Sequence, residues 1–175
     1  FHHLTVTNYN DNNFKARIYK IDHDDNKNRI TFMKILGGEI KVRDEVSYSI
    51  DETEITEKIT QIRVYNGYKY QTVKSASAGQ IVGVLGLSKS KAGLGLGDIE
   101  PEPSYNLVPT LRAKVIFDAQ TNAKEVLTAF NILNEEDPSL DLNWQKDSQE
   151  IQIRVMGPIQ LEVLKKIVQD RFDLI

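Results

Sequence analysis

The sequence of 175 residues contains no cysteine. Disulfides, thiolate zinc sites and cysteine nucleophiles are therefore excluded, and the cytosol is the expected compartment. No apolar run approaches the roughly 20 residues that a helix needs to cross a bilayer. The first residues also have none of the parts of a signal peptide. We therefore expect a cytoplasmic protein without a membrane partner.

A phosphate-binding motif is missing as well. No Gly-x-x-x-x-Gly-Lys-Ser/Thr run occurs, so no loop is built to hold nucleotide phosphates with backbone amides and a lysine. The glycines within residues 93–97 imitate such a loop, but Pro101 and Pro103 follow where a helix would have to begin. We therefore expect no cofactor, no GTP binding and no catalysis in this chain.

One acidic segment imitates a calcium loop. Asp22, Asp24 and Asn26 have the spacing of its first three ligands. Lys27 replaces the glycine of the sixth position and Met33 replaces the glutamate of the twelfth, so both the sharp turn and the bidentate ligand are lost. A solvated acidic turn is the better interpretation, and no metal is expected.

The charge is low and unevenly distributed. The net charge of −3 argues against a protein that binds nucleic acid with its whole surface, because phosphate affinity depends on clustered Lys and Arg. Residues 1–100 carry 14 Lys and Arg against 13 Asp and Glu, and residues 101–175 carry 8 against 12. Any RNA contact is therefore expected in the first half.

Residues 14–87 favour an all-β domain, since short alternating segments are separated by turn residues and no helical period competes. The clearest alternation, over residues 40–48, predicts one strand with Lys41 and Arg43 on its polar face. Gly37-Gly38 predicts a turn before it. So short a stretch of strands without helices is expected to close into a small barrel.

Three further segments complete this half. Asn66-Gly67 separates the alternating residues 62–65 and 68–71, which predicts a hairpin with a type I′ turn. The glycine-rich residues 88–97 predict a mobile loop that pairs with no strand. Residues 101–110, rich in proline, predict a stiff and extended linker.

After the linker the hydrophobic period changes to a strand, helix, strand, strand, helix order. The segments are a strand at 111–117, a helix from Asn122 to Asp137-Pro138, strands near 140–144 and 151–155, and a helix from Gly157-Pro158. This order is a ferredoxin-like unit lacking its last strand. We therefore predict a β-barrel at 1–100, a linker at 101–110 and an α+β domain at 111–175.

Two segments of the first half carry a specific pattern. Residues 14–22 read FKARIYKID, and residues 29–38 read RITFMKILGG. Together they resemble the second domain of elongation factor G and its relatives, where such a strand precedes an acidic turn, an arginine-led strand and a glycine turn. Arg43-Asp44 continues the pattern and is more similar to the tetracycline ribosomal protection proteins, since elongation factor G usually has Gly-Asp there.

The second half carries two more segments, LNEEDPSL at residues 133–140 and VMGPIQLEV at residues 155–163. These resemble the third domain of the same proteins. Gln160 stands where elongation factor G usually has histidine, again as in the ribosomal protection branch. Because two ordered motif sets on two different folds rarely coincide by chance, the chain is identified as a member of this family that covers domains II and III.

The resemblance implies the ribosome-docking and coupling part of a translational GTPase, whose GTPase domain, with GTP and magnesium, is absent from this chain. In the family, the second domain contacts small-subunit ribosomal RNA. The third lies between the GTPase domain and a small-subunit ribosomal protein, where it couples the GTP state to movement. The expected parent is a tetracycline ribosomal protection protein. The alternatives are elongation factor G acting in translocation and a protein-interaction module without RNA contact.

Four basic residues of the first half are candidate RNA contacts, namely Arg29, Lys34, Lys41 and Arg43. They are expected to cluster around the strand pair joined by Gly37-Gly38, where they would bind phosphates without reading base sequence. A solvated surface is the simpler alternative for each of them.

Overall fold

The computed structural model describes residues 12–99 and 111–174. The chain divides into two compact units, Phe1–Pro103 and Ser104–Ile175. The linker expected at 101–110 lies outside the described residues, so its conformation stays a prediction. No helix within the described ranges is long and apolar enough to cross a membrane.

The first unit is built from short strands, as its alternating sequence predicts. Ten are present in its described part: β1 (Lys15–His23), β2 (Arg29–Gly37), β3 (Glu39–Lys41), β4 (Glu45–Ile50), β5 (Thr53–Lys58), β6 (Gln61–Asn66), β7 (Lys69–Val73), β8 (Ser75–Ser77), β9 (Ile81–Leu85) and β10 (Gly95–Leu96). Six form one antiparallel sheet in the order β10-β1-β2-β9-β6-β7, while β3 pairs with β8 and β4 pairs with β5.

Eight of the ten strands bury apolar side chains in a single core, and β5 and β7 pack partly buried side chains against it. The largest fully buried members include Ile18, Met33, Ile35 and Ile62, while Val46 and Tyr48 of β4 join the same cluster. The mainly β fold class is therefore confirmed. The backbone ladders of the described residues do not form one closed hydrogen-bonded ring, although the strands surround the core in the manner of a barrel.

The prediction of one continuous strand over residues 40–48 is wrong. β3 ends at Lys41 and β4 begins at Glu45, because the chain makes a turn between them. The Asp44 carboxylate accepts the Lys41 backbone N–H at 2.7 Å, and Arg43 takes a left-handed conformation with φ of 80°. Lys41 and Arg43 therefore do not share a strand face.

The hairpin expected around Asn66-Gly67 is confirmed, with its turn displaced by one residue. Asn66 pairs with Lys69, so the two loop residues are Gly67 and Tyr68. Gly67 has φ of 64° and Tyr68 does not have positive φ. A single positive φ at the first loop position fits a type II′ turn, whereas type I′ needs two.

The prediction of a mobile loop at 88–97 is also wrong. Ala16 pairs with Leu96 and Arg17 with Gly95, and the Ile18 backbone exchanges hydrogen bonds with residues 93 and 94. Leu96 is fully buried in the core. Gly95 and Leu96 thus form an edge strand that pairs with β1 and buries Leu96 in the core.

The second unit has the predicted strand, helix, strand, strand, helix order. Its described elements are β11 (Leu111–Val115), α1 (Ala123–Glu136), a short 3₁₀ helix (Pro138–Leu140), β12 (Asn143–Gln145), β13 (Glu150–Val155) and α2 (Pro158–Phe172). The three strands form an antiparallel sheet in the order β11-β13-β12. Within the described ranges, β11 is therefore an edge strand paired only with β13.

A side-chain cap starts α1, and a proline in the first turn starts α2. Asn122 accepts the Lys124 backbone N–H at 3.0 Å, and α1 ends at Asp137, as predicted. α2 begins with Pro158 in its first turn. α1 buries Val126, Phe130 and Leu133, whereas no residue of α2 is fully buried.

An apolar groove of about 510 Å³ lies in the second unit. It is bordered by the edge strand β11 and by side chains from both helices, including Phe130, Leu161 and Leu164. The half-buried side chains of α2 line part of this groove. The apolar face of α2 is therefore only partly covered within the described residues.

Candidate functional site

Arg29, at the start of β2, is directed to acceptors of its own chain. Its guanidinium donates to the Leu87 carbonyl oxygen at 2.6 Å, to Ser90 Oγ at 2.9 Å and to the Ser90 carbonyl oxygen. Thr31 Oγ1 lies 2.8 Å from the buried Ser90 Oγ. This network holds the loop after β9 against β2, so Arg29 has a structural role in the described residues.

The other three candidates are exposed to solvent. Lys34 lies on β2 opposite Arg17 and Ile81. Lys41 lies at the end of β3, with its amine 3.3 Å from Glu39. Arg43 occupies the turn that follows, where its backbone N–H donates to the Ile59 carbonyl oxygen at 2.8 Å.

The expected clustering around a strand pair is wrong in one respect. β2 and β3 are joined through Gly38, but they do not pair with each other, since β2 lies between β1 and β9 and β3 pairs with β8. Lys34 thus belongs to the large sheet, whereas Lys41 ends β3 and Arg43 lies in the turn between β3 and β4. The four residues do not form one shared strand edge.

A row of aromatic rings crosses the outer face of the six-stranded sheet. Tyr19 and Phe32 have ring centroids 6.2 Å apart, Phe32 and Tyr65 5.1 Å, and Tyr65 and Tyr70 5.4 Å. We call these four residues the aromatic row. They come from β1, β2, β6 and β7, so the row spans most of the sheet.

Gly83 of β9 makes this continuity possible. It lies directly between Phe32 and Arg63 in the ladder. A Cβ atom at this position would lie 3.0 Å from the Tyr65 ring and 3.3 Å from the Phe32 ring. Because hydrogen replaces that carbon, the rings of the neighbouring strands meet over the backbone of β9.

Cations accompany the rings. The Lys20 amine lies 5.8 Å from the Phe32 centroid, and the Arg63 guanidinium lies 4.2 Å from the Tyr70 centroid. Such contacts are attractive because the ring face carries partial negative charge. Lys20 is also 3.1 Å from Asp22, and the nearly buried Arg63 is 2.9 Å from Asp24.

Asp24 organises the turn between β1 and β2. Its carboxylate accepts the backbone N–H groups of Asn26 and Asn28, at 3.0 and 2.9 Å. Partial burial alone would raise the pKa of Asp24, but the hydrogen bonds from Asn28 and Arg63 outweigh it and lower the pKa to about 2. The acidic segment therefore ties this turn to β6.

Sequence reasoning missed the aromatic row, although a signal was present. Phe32 and Lys34 alternate with buried Met33 and Ile35, which places them on the outer face. The pairing of β6 with β9 rather than with a sequence neighbour could not be read from local pattern. Without that pairing, nothing in the sequence indicates that Tyr65 meets Phe32.

Comparisons with known proteins agree with both folds. Residues 13–96 match the family model of elongation factor G domain 2, and residues 108–174 match that of elongation factor G domain III. The chain belongs to the elongation factor G family. It corresponds to the second and third domains of that family, in the same order, so the family resemblance seen in the sequence is confirmed.

Curated relatives in the elongation factor G family carry two kinds of name. The chain is 25% identical over 166 residues to an oxytetracycline resistance protein of Streptomyces rimosus, covering 90% of this chain and 25% of the relative. It is 28% identical over 165 residues to an elongation factor G of Petrotoga mobilis, covering 89% and 23%. The chain thus spans about a quarter of the length of these relatives.

A solved structure has the same fold as this chain. The chain matches a crystal structure of a protein from Thermus thermophilus with a TM-score of 0.68 and 23% identity, covering 95% of this chain and 25% of the other. At this identity the likeness establishes the fold alone.

Proposed function

We propose that this chain is the ribosome-docking and coupling part of a translational GTPase. The observation that carries the proposal is the match of two different folds, in order, to two consecutive domains of elongation factor G. The sequence has no phosphate-binding loop, so the GTP and magnesium would be held by a separate GTPase domain of the parent chain. Such a protein would work in the cytoplasm.

Each unit has its own part in the proposal. The first unit docks on small-subunit ribosomal RNA through its exposed cations. The second unit transmits the nucleotide state between the GTPase domain of the parent and a small-subunit ribosomal protein. Lys34, Lys41 and Arg43 are the proposed phosphate contacts, whereas Arg29 is withdrawn from that set because its guanidinium already binds Leu87 and Ser90.

Arg43 supports the choice of parent. Its φ of 80° falls where glycine is unstrained and an L side chain costs about 1 kcal/mol or more. Glycine at this position, as is usual in elongation factor G, would remove the strain. The chain carries arginine at this strained position, as the tetracycline ribosomal protection branch does, and this resemblance favours that branch as the parent.

Elongation factor G acting in translocation is the second candidate. The 28% identity to the Petrotoga mobilis protein favours it, since this exceeds the identity to the oxytetracycline resistance protein. Expression of the complete parent gene in tetracycline-sensitive cells separates the two. Growth at raised tetracycline supports the protection protein, whereas replacement of a depleted elongation factor G without resistance supports translocation.

Ribosome co-sedimentation tests the docking itself. With about three phosphate contacts and a slope near −0.8 for each, affinity should fall roughly 30-fold between about 50 and 200 mM salt. The double variant Lys41→Glu/Arg43→Glu should lose binding with little change in melting temperature, because exposed substitutions rarely cost more than about 0.5 kcal/mol.

The matched control is Lys146→Glu/Lys166→Glu, which makes the same charge change at exposed positions of the second unit. It should leave the RNA-dependent docking of the first unit in place. If the chain without substitutions does not pellet with ribosomes at low salt, the proposed docking function is wrong. A protein-interaction module without RNA contact then becomes the better description.

A further inference from the structure

The aromatic row and its neighbouring cations make a surface that phosphate docking alone does not explain. Tyr19 and Tyr70, at the two ends of the row, are 50% and 45% exposed. Phe32 and Tyr65 lie between them and are half-buried. The two outer rings are thus partly exposed, with Arg63 over one side of the Tyr70 ring, and the inner rings hold them through the contacts of the row.

The charges of this face favour an anionic partner. Two carboxylates lie on this face in the described residues. Asp22 pairs with Lys20, and Asp24 pairs with Arg63. Lys34 lies on the same side as Phe32 and is exposed to solvent. This lysine adds a positive charge to the face, and a phosphate bound beside it would be stabilised by that charge.

Rings and cations together fit a nucleic acid more closely than a protein surface. Unpaired bases stack on aromatic side chains while Lys and Arg neutralise the adjoining phosphates. Lysine is depleted at protein–protein interfaces, yet Lys20 and Lys34 flank this row. A paired helix would present phosphates to the cations but no base face to Tyr19 and Tyr70.

We propose that the outer face of the six-stranded sheet binds unpaired nucleotides of RNA. Tyr19 and Tyr70 each stack on a base, and Lys34 binds the phosphate backbone beside them. Phe32 and Tyr65 act as positioning residues that fix the outer rings. This inference rests on the proposed ribosome docking, whose RNA partner it specifies as a loop or bulge rather than a paired helix.

Fluorescence anisotropy of labelled RNA with the 175-residue chain tests the inference. The probes are an oligouridine of about 12 nucleotides, within the site sizes of single-strand binders, and an RNA duplex of equal length. At low salt the single strand should bind about tenfold or more tightly than the duplex. Ribosome co-sedimentation is run in parallel on the same protein.

Tyr19→Ala and Tyr70→Ala should each weaken single-strand binding about tenfold, since a stacked base contributes that much or more. Tyr19→Phe and Tyr70→Phe, which keep the ring, should restore it. Tyr68→Ala is the matched control, because Tyr68 is fully exposed at the tip of the β6–β7 hairpin and lies outside the row. Circular dichroism confirms that each variant is folded.

Other outcomes overturn the inference in distinguishable ways. Equal binding of both probes with no effect of the tyrosine variants means phosphate docking without stacking. Ribosome pelleting that depends on Tyr19 and Tyr70 while neither RNA probe binds means that the face contacts a ribosomal protein. If the chain without substitutions binds oligouridine through the aromatic row but does not pellet with ribosomes, the proposed function is wrong and the RNA-binding surface stands.

Discussion

The two units close their apolar surfaces to different degrees. Among the described residues, fifteen buried apolar side chains form the core of the first unit, against which β5 and β7 pack partly buried side chains, and seven form the core of the second. The helix α2 has an apolar stripe at Leu161, Leu164, Ile167 and Val168, yet none of these side chains is fully buried. An apolar stripe is therefore not enough to bury a helix face. Another helix or strand must also pack over that face.

The largest effect should come from a matched pair of core substitutions, Ile62→Ala in the first unit and Ile151→Ala in the second. Both isoleucines are fully buried, and each change should cost about 3 kcal/mol. The second unit should unfold after its loss, because its smaller core leaves less stability to spare. The first unit should stay folded after Ile62→Ala, because its larger core leaves more stability in reserve.

Trp144 reports on this difference, since it is the single tryptophan and packs against the core of the second unit. In urea titrations, Trp144 fluorescence should show the second unit of Ile151→Ala unfolding at a lower urea concentration than the first unit of Ile62→Ala. Circular dichroism detects the unfolding of both units in each variant. A second unit that resists urea as well as the first unit would remove the contrast between them.

Leu96→Ala tests whether β10 is an ordered edge strand of the first unit. Leu96 is fully buried although it lies among glycines, so its loss should cost about 2–3 kcal/mol. A loosely attached loop would lose less than about 0.5 kcal/mol. The shift in the urea midpoint of the first unit distinguishes an ordered edge strand from such a loop.

Acid should weaken the first unit through Asp24. Because its pKa in the folded state, about 2, lies below the ordinary value, its stabilisation is complete at neutral pH and is lost as pH falls from about 4 to about 2. Allowing for solvent screening of this partly exposed carboxylate, the loss is roughly 1 kcal/mol. Asp24→Asn should reduce stability at pH 7 and flatten this part of the pH profile measured by circular dichroism.

The smallest effect should be a gain. Arg43→Gly relieves the left-handed conformation of the turn between β3 and β4 and should stabilise the first unit by about 0.5–1 kcal/mol. Arg43→Ala keeps the strained φ and should give no gain. Thermal melts compare the two variants, and a stabilising alanine would show that strain at residue 43 is not the cause.

Local pattern predicted the parts of the fold that local chemistry controls. The start of α1 at Asn122, its end at Asp137, the proline-led α2 and the hairpin at Gly67 all follow from capping residues, proline and glycine. The strand break at Arg43 could not be seen, since an arginine gives no sign of positive φ. The glycine-rich β10 was missed because its order depends on long-range pairing with β1.

The candidate site was predictable only in part. Exposure of Lys34, Lys41 and Arg43 follows from their charge, but the inward direction of Arg29 depends on Ser90, some sixty residues away in sequence. The aromatic row depends on strand order in the same way. Contacts between distant strands are set by the whole sheet, so no window of sequence contains them.

Gly83 places a limit on how this sequence can diverge. Any side chain at position 83 would meet Ile30, Phe32 and Tyr65 at distances too short to tolerate without movement. A larger residue at position 83 should therefore be accompanied by smaller residues among its three neighbours, positions 30, 32 and 65. Among relatives of this chain, substitutions at these positions should occur together, and the positions should covary even though they are far apart along the chain.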